Sequence, residues 1–265
     1  MAAVDAGKSK DAGPVGDARA PVGDSGPAGP PTAMRITALY LRDPHFYLNG
    51  TTDITDQMFL GQSVNGNLIP GGLTMDYDGD GFLDVSFMLL FQPLDPKASQ
   101  AHLTMTDGNC PVSTPTRCMP KPQSGLDVSG AIENKSQGAC LQAMAGTTSA
   151  FTPPVGEPAG PCFATTTGAD FVMTVGGIAV KVTAGRIAGS YDSNGGVMTG
   201  LIAGFVTKSE AMKALLPAYL GPPLAGTPLS MYLRQQDADM AQSPTGEDGW
   251  WLYLNFEATP ATFPQ

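Results

Sequence analysis

"GWWLYLNFEA", residues 249–258, reads with a period of two. In an extended strand successive side chains point to opposite faces. Trp250, Leu252, Leu254 and Phe256 therefore share one face, and Trp251, Tyr253, Asn255 and Glu257 share the other. The first face is apolar throughout, which makes this a strand with one side in a core. The second sets two aromatic rings beside an amide and an acid. Such a face can stack a sugar, so Trp251 and Tyr253 form a candidate ligand platform. The competing expectation is that the two rings pack beneath a loop or helix, as large aromatics in β-proteins commonly do.

Outward from this strand the same texture repeats. "RITALYLR" (35–42), "HFYLN" (45–49), "VSFMLLF" (85–91) and "AHLTMT" (101–106) are rich in β-branched and aromatic residues. "FVMTV" (171–175), "IAVKVT" (178–183), "RIAGSY" (186–191) and "GLIAGFV" (200–206) continue the series. Asn49-Gly50, Asn65-Gly66, Asp107-Gly108 and Asn194-Gly195 suit tight hairpin turns, because Asn, Asp and Gly tolerate positive φ. Strands this short and frequent predict a mainly β domain, an antiparallel β-sandwich of jelly-roll type. One helix is expected at Thr207–Leu220, where Thr207 and Glu210 make a capping box and Pro217 ends or kinks the run. A second short helix is expected within 229–236. Residues 107–165 are rich in Pro, Gly, Thr and Ser and hold all four cysteines. They read as a long disulfide-stapled excursion from the sandwich.

Residues 1–33 differ in kind. They contain Ala, Gly, Pro, Asp, Val and Ser almost exclusively, with no aromatic residue. Such a segment cannot bury enough surface to offset its chain entropy, and it reads as a disordered tether ahead of a single domain at 34–265. Its "GDSGP" (Gly23–Pro27) is similar to the nucleophile motif of chymotrypsin-like proteases. No histidine precedes Ser25, and that motif needs a packed oxyanion loop, so chance composition accounts for it.

Bulk chemistry narrows the function classes. The 265-residue chain carries a net charge of −10, which repels phosphate backbones and anionic membrane surfaces. Nucleic acid is therefore excluded as a partner. No apolar run approaches the roughly 18–20 residues of a membrane helix. Cys110, Cys118, Cys140 and Cys162 contain no C-x-x-C, and His45 and His102 are the only histidines, so zinc-finger spacing is absent. An even cysteine count in Pro/Thr-rich surroundings suits two disulfides in an oxidising compartment. Of the three pairings, Cys110–Cys118 with Cys140–Cys162 closes the shortest loops.

The chemistry concentrates in "LTMDYDGDGFLDVSFMLLF", residues 73–91. Asp76, Asp78, Asp80 and Asp84 fall within nine residues, immediately before an apolar strand. Carboxylates this close repel one another unless a cation neutralises them. Calcium takes six to eight oxygens, and D-x-D-x-D-G-x-x-D supplies them. Asp76, Asp78 and Asp80 would be side-chain ligands, Phe82 would offer its carbonyl, and Asp84 would close the shell. Gly81 permits the sharp turn. The bland alternative is a solvated acidic turn. The motif resembles the calcium loops of dockerins, thrombospondin-type repeats and FG-GAP blades. It departs from an EF-hand, whose closing glutamate is replaced by Phe87, and a strand follows instead of a helix.

Other candidates are weaker. His45 lies near Arg42 and Asp43, as structural histidines often do. His102 has no local partner, and no G-x-S-x-G elbow exists. Asp170, Glu247, Asp248 and Glu257 could build a paired-carboxylate hydrolase site, though their spacing does not demand one. "LRDPHFYLNG", "DYDGDGFLDVSFMLLFQPLD" and "GWWLYLNF" together resemble secreted lipoproteins of high-GC Gram-negative bacteria. That resemblance implies an extracytoplasmic place, and residues 1–33 resemble the tether that follows the lipid-modified cysteine of bacterial surface lipoproteins, which implies a lipid anchor upstream. The expected function is thus a calcium-binding surface module, binding carbohydrate or another surface protein and more structural than enzymatic. A secreted hydrolase is the alternative.

Overall fold

A computed structural model describes residues 30–264 except 60, 123–125, 193–196 and 222–223. The strands in chain order are β1 (Thr32–Asp43), β2 (Tyr47–Leu48), β3 (Thr52–Asp53), β4 (Phe87–Gln92), β5 (Ala101–Asn109) and β6 (Met119–Pro120). They continue as β7 (Asp127–Lys135), β8 (Cys162–Thr165), β9 (Ala169–Val175), β10 (Ile178–Tyr191), β11 (Val197–Thr207) and β12 (Gly249–Ala261). Two short α-helices, α1 (Ile69–Thr74) and α2 (Lys208–Lys213), complete the regular elements.

The strands do not form a sandwich. β1, β4, β5, β7, β8, β10, β11 and β12 are hydrogen-bonded neighbours in that order, and β12 returns to β1. Every contact around this ring is antiparallel, so the sheet closes into an eight-stranded up-and-down barrel. Short alternating strands satisfy a sandwich and a barrel equally. What selects the barrel is strand length and local irregularity. β1 pairs with β4 only through Thr32–Arg35, then shifts register against β12 between Ile36 and Ala38. The two runs 178–183 and 186–191 are one strand, β10, bent between Thr183 and Arg186 with Ala184 at φ +52°. Bulges bend and twist a strand, and that curvature lets a sheet meet its own edge.

Residues 107–165 are a second correction. They are only partly an excursion, because β7 and β8 are staves of the barrel. β7 was inconspicuous because only Val128 and Ile132 of "DVSGAIENK" face inward and are buried. Asn49-Gly50 does turn β2 into β3. Asp107-Gly108 instead lies inside β5, with Asp107 opposite Phe87. Asn65-Gly66 sits in a helical turn, Val64–Leu68, where the Ser63 hydroxyl accepts the Gly66 N–H. Asn194-Gly195 and Gly23–Pro27 lie outside the described residues. β1 begins at Thr32, so Thr32 and Ala33 of the expected tether belong to a strand, and residues 1–29 of it lie outside the described residues. α2 is capped by Thr207 as expected but stops at Lys213, because the chain turns extended at Ala214. Residues 229–231 and 235–237 are single 3₁₀ turns.

The barrel interior is the main core. Met34, Ile36, Leu39 and Leu41 of β1 meet Trp250, Leu254 and Phe256 of β12 there, with Phe87 and Phe91 from the neighbouring β4 and Phe163 from β8 across the ring. The Phe256 ring fits because its cross-strand partner is Gly200, where a Cβ would stand 2.0 Å from the ring. Among the described residues three smaller cores accompany it, one of them formed by Leu48, Ile54, Leu216 and Tyr232, and the other two lie on the outer surface. One packs Cys140, Leu141 and Cys162 against Leu201, Phe205, Trp251 and Tyr253. The other packs Cys110, Cys118 and Leu83 against Ala33, Met88 and Leu90. On β7 the outward residues Asp127, Ser129, Glu133 and Lys135 are exposed and polar. A membrane-spanning barrel needs an outward apolar band; on β7 the outward face offers Ala131 as its one apolar residue.

Candidate metal centre

Met75–Val85 links α1 to β4, and its ends are fixed before its side chains are considered. Asp84 N–H donates to the Met75 carbonyl and Val85 N–H to that of Gly72, at 3.1 and 3.0 Å. Leu83 N–H reaches the Cys110 carbonyl at 2.9 Å, and Val112 N–H reaches that of Gly81 at 3.1 Å. The loop is thereby tied to the segment closed by the Cys110–Cys118 disulfide. Gly79 and Gly81 take φ of +76° and +88°, conformations that cost a residue without Cβ little.

Within this frame the aspartates organise the backbone. Asp76 accepts N–H bonds from Gly79 (2.6 Å), Gly81 (2.8 Å) and Asp80 (3.1 Å). Asp78 Oδ1 accepts from Asp80 N–H at 3.1 Å, and Asp80 Oδ1 from Phe82 N–H at 2.8 Å. Both Asp84 oxygens receive the Tyr77 N–H, at 3.3 and 3.2 Å. The result is a cluster in which Asp76, Asp78 and Asp84 each place an oxygen within 4.8 Å of the others. Calcium–oxygen distances are about 2.3–2.6 Å, so opposed ligands on one ion stand about 4.6–5.2 Å apart. The three carboxylates can therefore share an ion. Asp80 is not in the cluster; its carboxylate is turned to Phe82. Phe82 is held by that bond and by a bridge to Pro111.

The electrostatics divide the cluster. The Gly81 N–H, followed by other local donors, holds the Asp76 carboxyl below its ordinary range. Asp84 is pushed up, first by burial and then by the charges of Asp78, Asp76 and Asp80. A cation placed among these oxygens would relieve that repulsion.

The remaining candidates are dispersed. The disulfides are Cys110–Cys118 and Cys140–Cys162, and no cysteine is free. Trp251 and Tyr253 are 8% and 1% exposed, so they do not offer a stacking surface. They lie under the loop closed by Cys140–Cys162. Trp251 Nε1 donates to the Gln242 carbonyl, and the Tyr253 hydroxyl meets Thr147 Oγ1 and the Met144 N–H. His45 is buried and structural: Nδ1 contacts Asp53 at 2.5 Å, and the ring stacks on Phe151 at 3.5 Å. Three of the four candidate hydrolase acids hold side-chain partners, and Glu257 is an exposed residue of β12. Asp170 contacts Lys181, Glu247 accepts from Ser209, Asp248 accepts from Gln235, and Glu257 pairs across from Ala38 and Thr199. Two shielded acids were not singled out by sequence, buried Asp43 and half-buried Asp239. Asp43 is 2% exposed, and its carboxylate accepts the Ser149 N–H at 2.6 Å. Burial raises it to about 7. Asp239 accepts the Trp251 N–H at 2.7 Å and is raised by burial to about 6. An Asp at a strand end carries no sequence mark of its burial.

Among the described residues no helix is long and apolar enough to cross a membrane. No family model, no curated protein and no solved structure matches the chain.

Proposed function

We propose that this chain is an extracytoplasmic β-barrel whose Asp76–Asp84 loop binds calcium, and that it serves as a binding or structural module at the cell surface. The observation that carries the reading is the convergence of the Asp76, Asp78 and Asp84 oxygens within 4.8 Å. Calcium suits the site better than magnesium. It accepts several carboxylates and irregular geometry, whereas magnesium keeps most of its water and demands a small octahedron. The Phe82 carbonyl and solvent would supply further oxygens. The two disulfides support an oxidising compartment. The polar outward wall supports a barrel that meets water. With Trp251 and Tyr253 buried, a sugar-stacking role has no surface to rest on, and another surface protein is the partner we favour.

The test is calorimetric titration of the chelator-treated protein with calcium and, separately, magnesium. Calcium should bind at one site per chain, with Kd in the range of extracellular modules, about 10⁻⁴–10⁻³ M. Magnesium should bind more weakly. Absence of a calcium heat at millimolar concentration, confirmed by equilibrium dialysis, would remove the proposal.

A further inference from the structure

We propose that the barrel end at which β1 finishes holds a small neutral hydrocarbon group. A cavity of about 90 Å³ lies there, and every side chain lining it is apolar. Leu41 and Leu254 form its barrel wall, Met173 and Val180 enter from the β9–β10 hairpin, and Val64 and Leu233 close it from above.

Three features define the occupant. Among the described residues no polar side chain faces the cavity, so a water there would lack the two to four partners that hold buried water in place. Apolar cavities of comparable kind stay dry and take up benzene or xenon. No charged or hydrogen-bonding side chain lines the site, so the enclosed group must itself be uncharged and without polar atoms. Its volume limits the guest to a few carbons, either a free molecule or the tip of a longer alkyl chain. Access is built in on one side. β9 pairs only with β10, and Val175, Ile178 and Val180 of this hairpin are only partly buried where they pack on the core. Eight-stranded barrels have interiors just wide enough to be filled by side chains or to hold one small ligand. This one is filled along most of its length and leaves room at one end.

The experiment uses the full chain with ¹³C-labelled methionine methyl groups, titrated with benzene and separately with 1-decanol. Met173 lines the cavity, whereas Met105 is buried deeper in the barrel core and Met88 belongs to an outer core, so the latter two are internal controls. The expected result is a saturable shift of Met173 with Met88 and Met105 unmoved. It should come with a rise in melting temperature of about 3–6 °C at tenfold excess over Kd. Val180→Phe should fill the space and weaken binding at least tenfold. Response to benzene alone assigns a free small molecule; response to decanol assigns a chain tip. Equal shifts at all three methionines, no shift with either probe, or undiminished binding by Val180→Phe overturns the proposal. The methionine shifts read the wild type, so the test survives a variant that fails to fold. Repeating the titration in calcium and in chelator separates it from the metal site, because the cavity shares no residue with the aspartate loop.

Discussion

Asp43 shows what burial does to one side chain. Its carboxyl sits at the end of β1, raised to about 7 by burial first, with the charges of Asp239 and Asp237 acting in the same direction and the Ser149 N–H opposing. An unfolded Asp titrates near 3.9. Between about pH 4 and pH 7 the folded state therefore binds the extra proton, and stability falls as pH rises through that window. Above about pH 7 the loss is complete. Asp43→Asn keeps an oxygen for Ser149 and removes the charge. It should be more stable than the wild type at pH 8 and close to it at pH 4. The change in that difference should be at least about 1.4 kcal/mol, the value of one tenfold change in proton affinity. Urea unfolding at both pH values measures it, and an equal difference at both contradicts the assignment. The aspartate loop makes a sharper residue-level distinction. Asp76 receives three backbone N–H groups, Asp78 one. Asp76→Ala should lower the melting temperature by a few degrees even in chelator. Asp78→Asn should leave the chelator melt nearly unchanged yet weaken calcium at least tenfold. Identical behaviour of the two variants would show that the carboxylates do not divide between loop scaffold and ligand as the hydrogen bonds indicate.

At the scale of elements, each disulfide anchors a covering segment on the outside of the barrel. Cys140–Cys162 closes 22 residues over Trp251 and Tyr253, and Cys110–Cys118 closes 8 beside the aspartate loop. By loop-closure entropy the longer bridge is worth about 3 kcal/mol and the shorter about 2.5. Replacing Cys140 and Cys162 together by Ala should cost about that larger amount and shift Trp emission to the red, because the cover over Trp251 loosens. Unchanged emission with full stability would mean the cover is held by packing alone. Legibility in the sequence follows the same logic. β1, β10 and β12 were readable because inward apolar residues alternate along most of their length, and β4 because it is an unbroken apolar run buried on both faces. β7 and β8 were not, because two apolar residues in nine, or a four-residue strand, give too short a period to recognise. The ring closure was invisible because it depends on bulges at Ile36–Ala38 and Thr183–Arg186, which carry no composition signal. The aspartate loop was legible because its Asp and Gly spacing is itself the geometry. That Asp80 would turn to Phe82 was not, since D-x-D-x-D offers three equivalent oxygens on paper. The burial of Trp251 and Tyr253 was undecidable locally: their cover arrives from about a hundred residues away.

At the scale of the whole molecule, an apolar barrel interior, two disulfide-anchored outer cores and one acidic loop make up the design. The loop hydrogen-bonds to α1's last turn on one side and to the Cys110 segment on the other, so an ion bound there would brace the junction among α1, β4 and β5. Without the ion, Asp84 remains in an unfavourable environment created by burial and its neighbours' charge. The account therefore stands on calcium binding to the folded state in preference to the unfolded one. The most direct test is a pair of thermal melts, one in about 5 mM calcium and one in chelator. With Kd of about 10⁻⁴–10⁻³ M, binding adds about 1–2 kcal/mol, which raises the melting temperature by about 2–8 °C. The account predicts that rise for the wild type, a smaller one with magnesium, and at most half of it for Asp78→Asn. Coincident wild-type melts in calcium and chelator would contradict it.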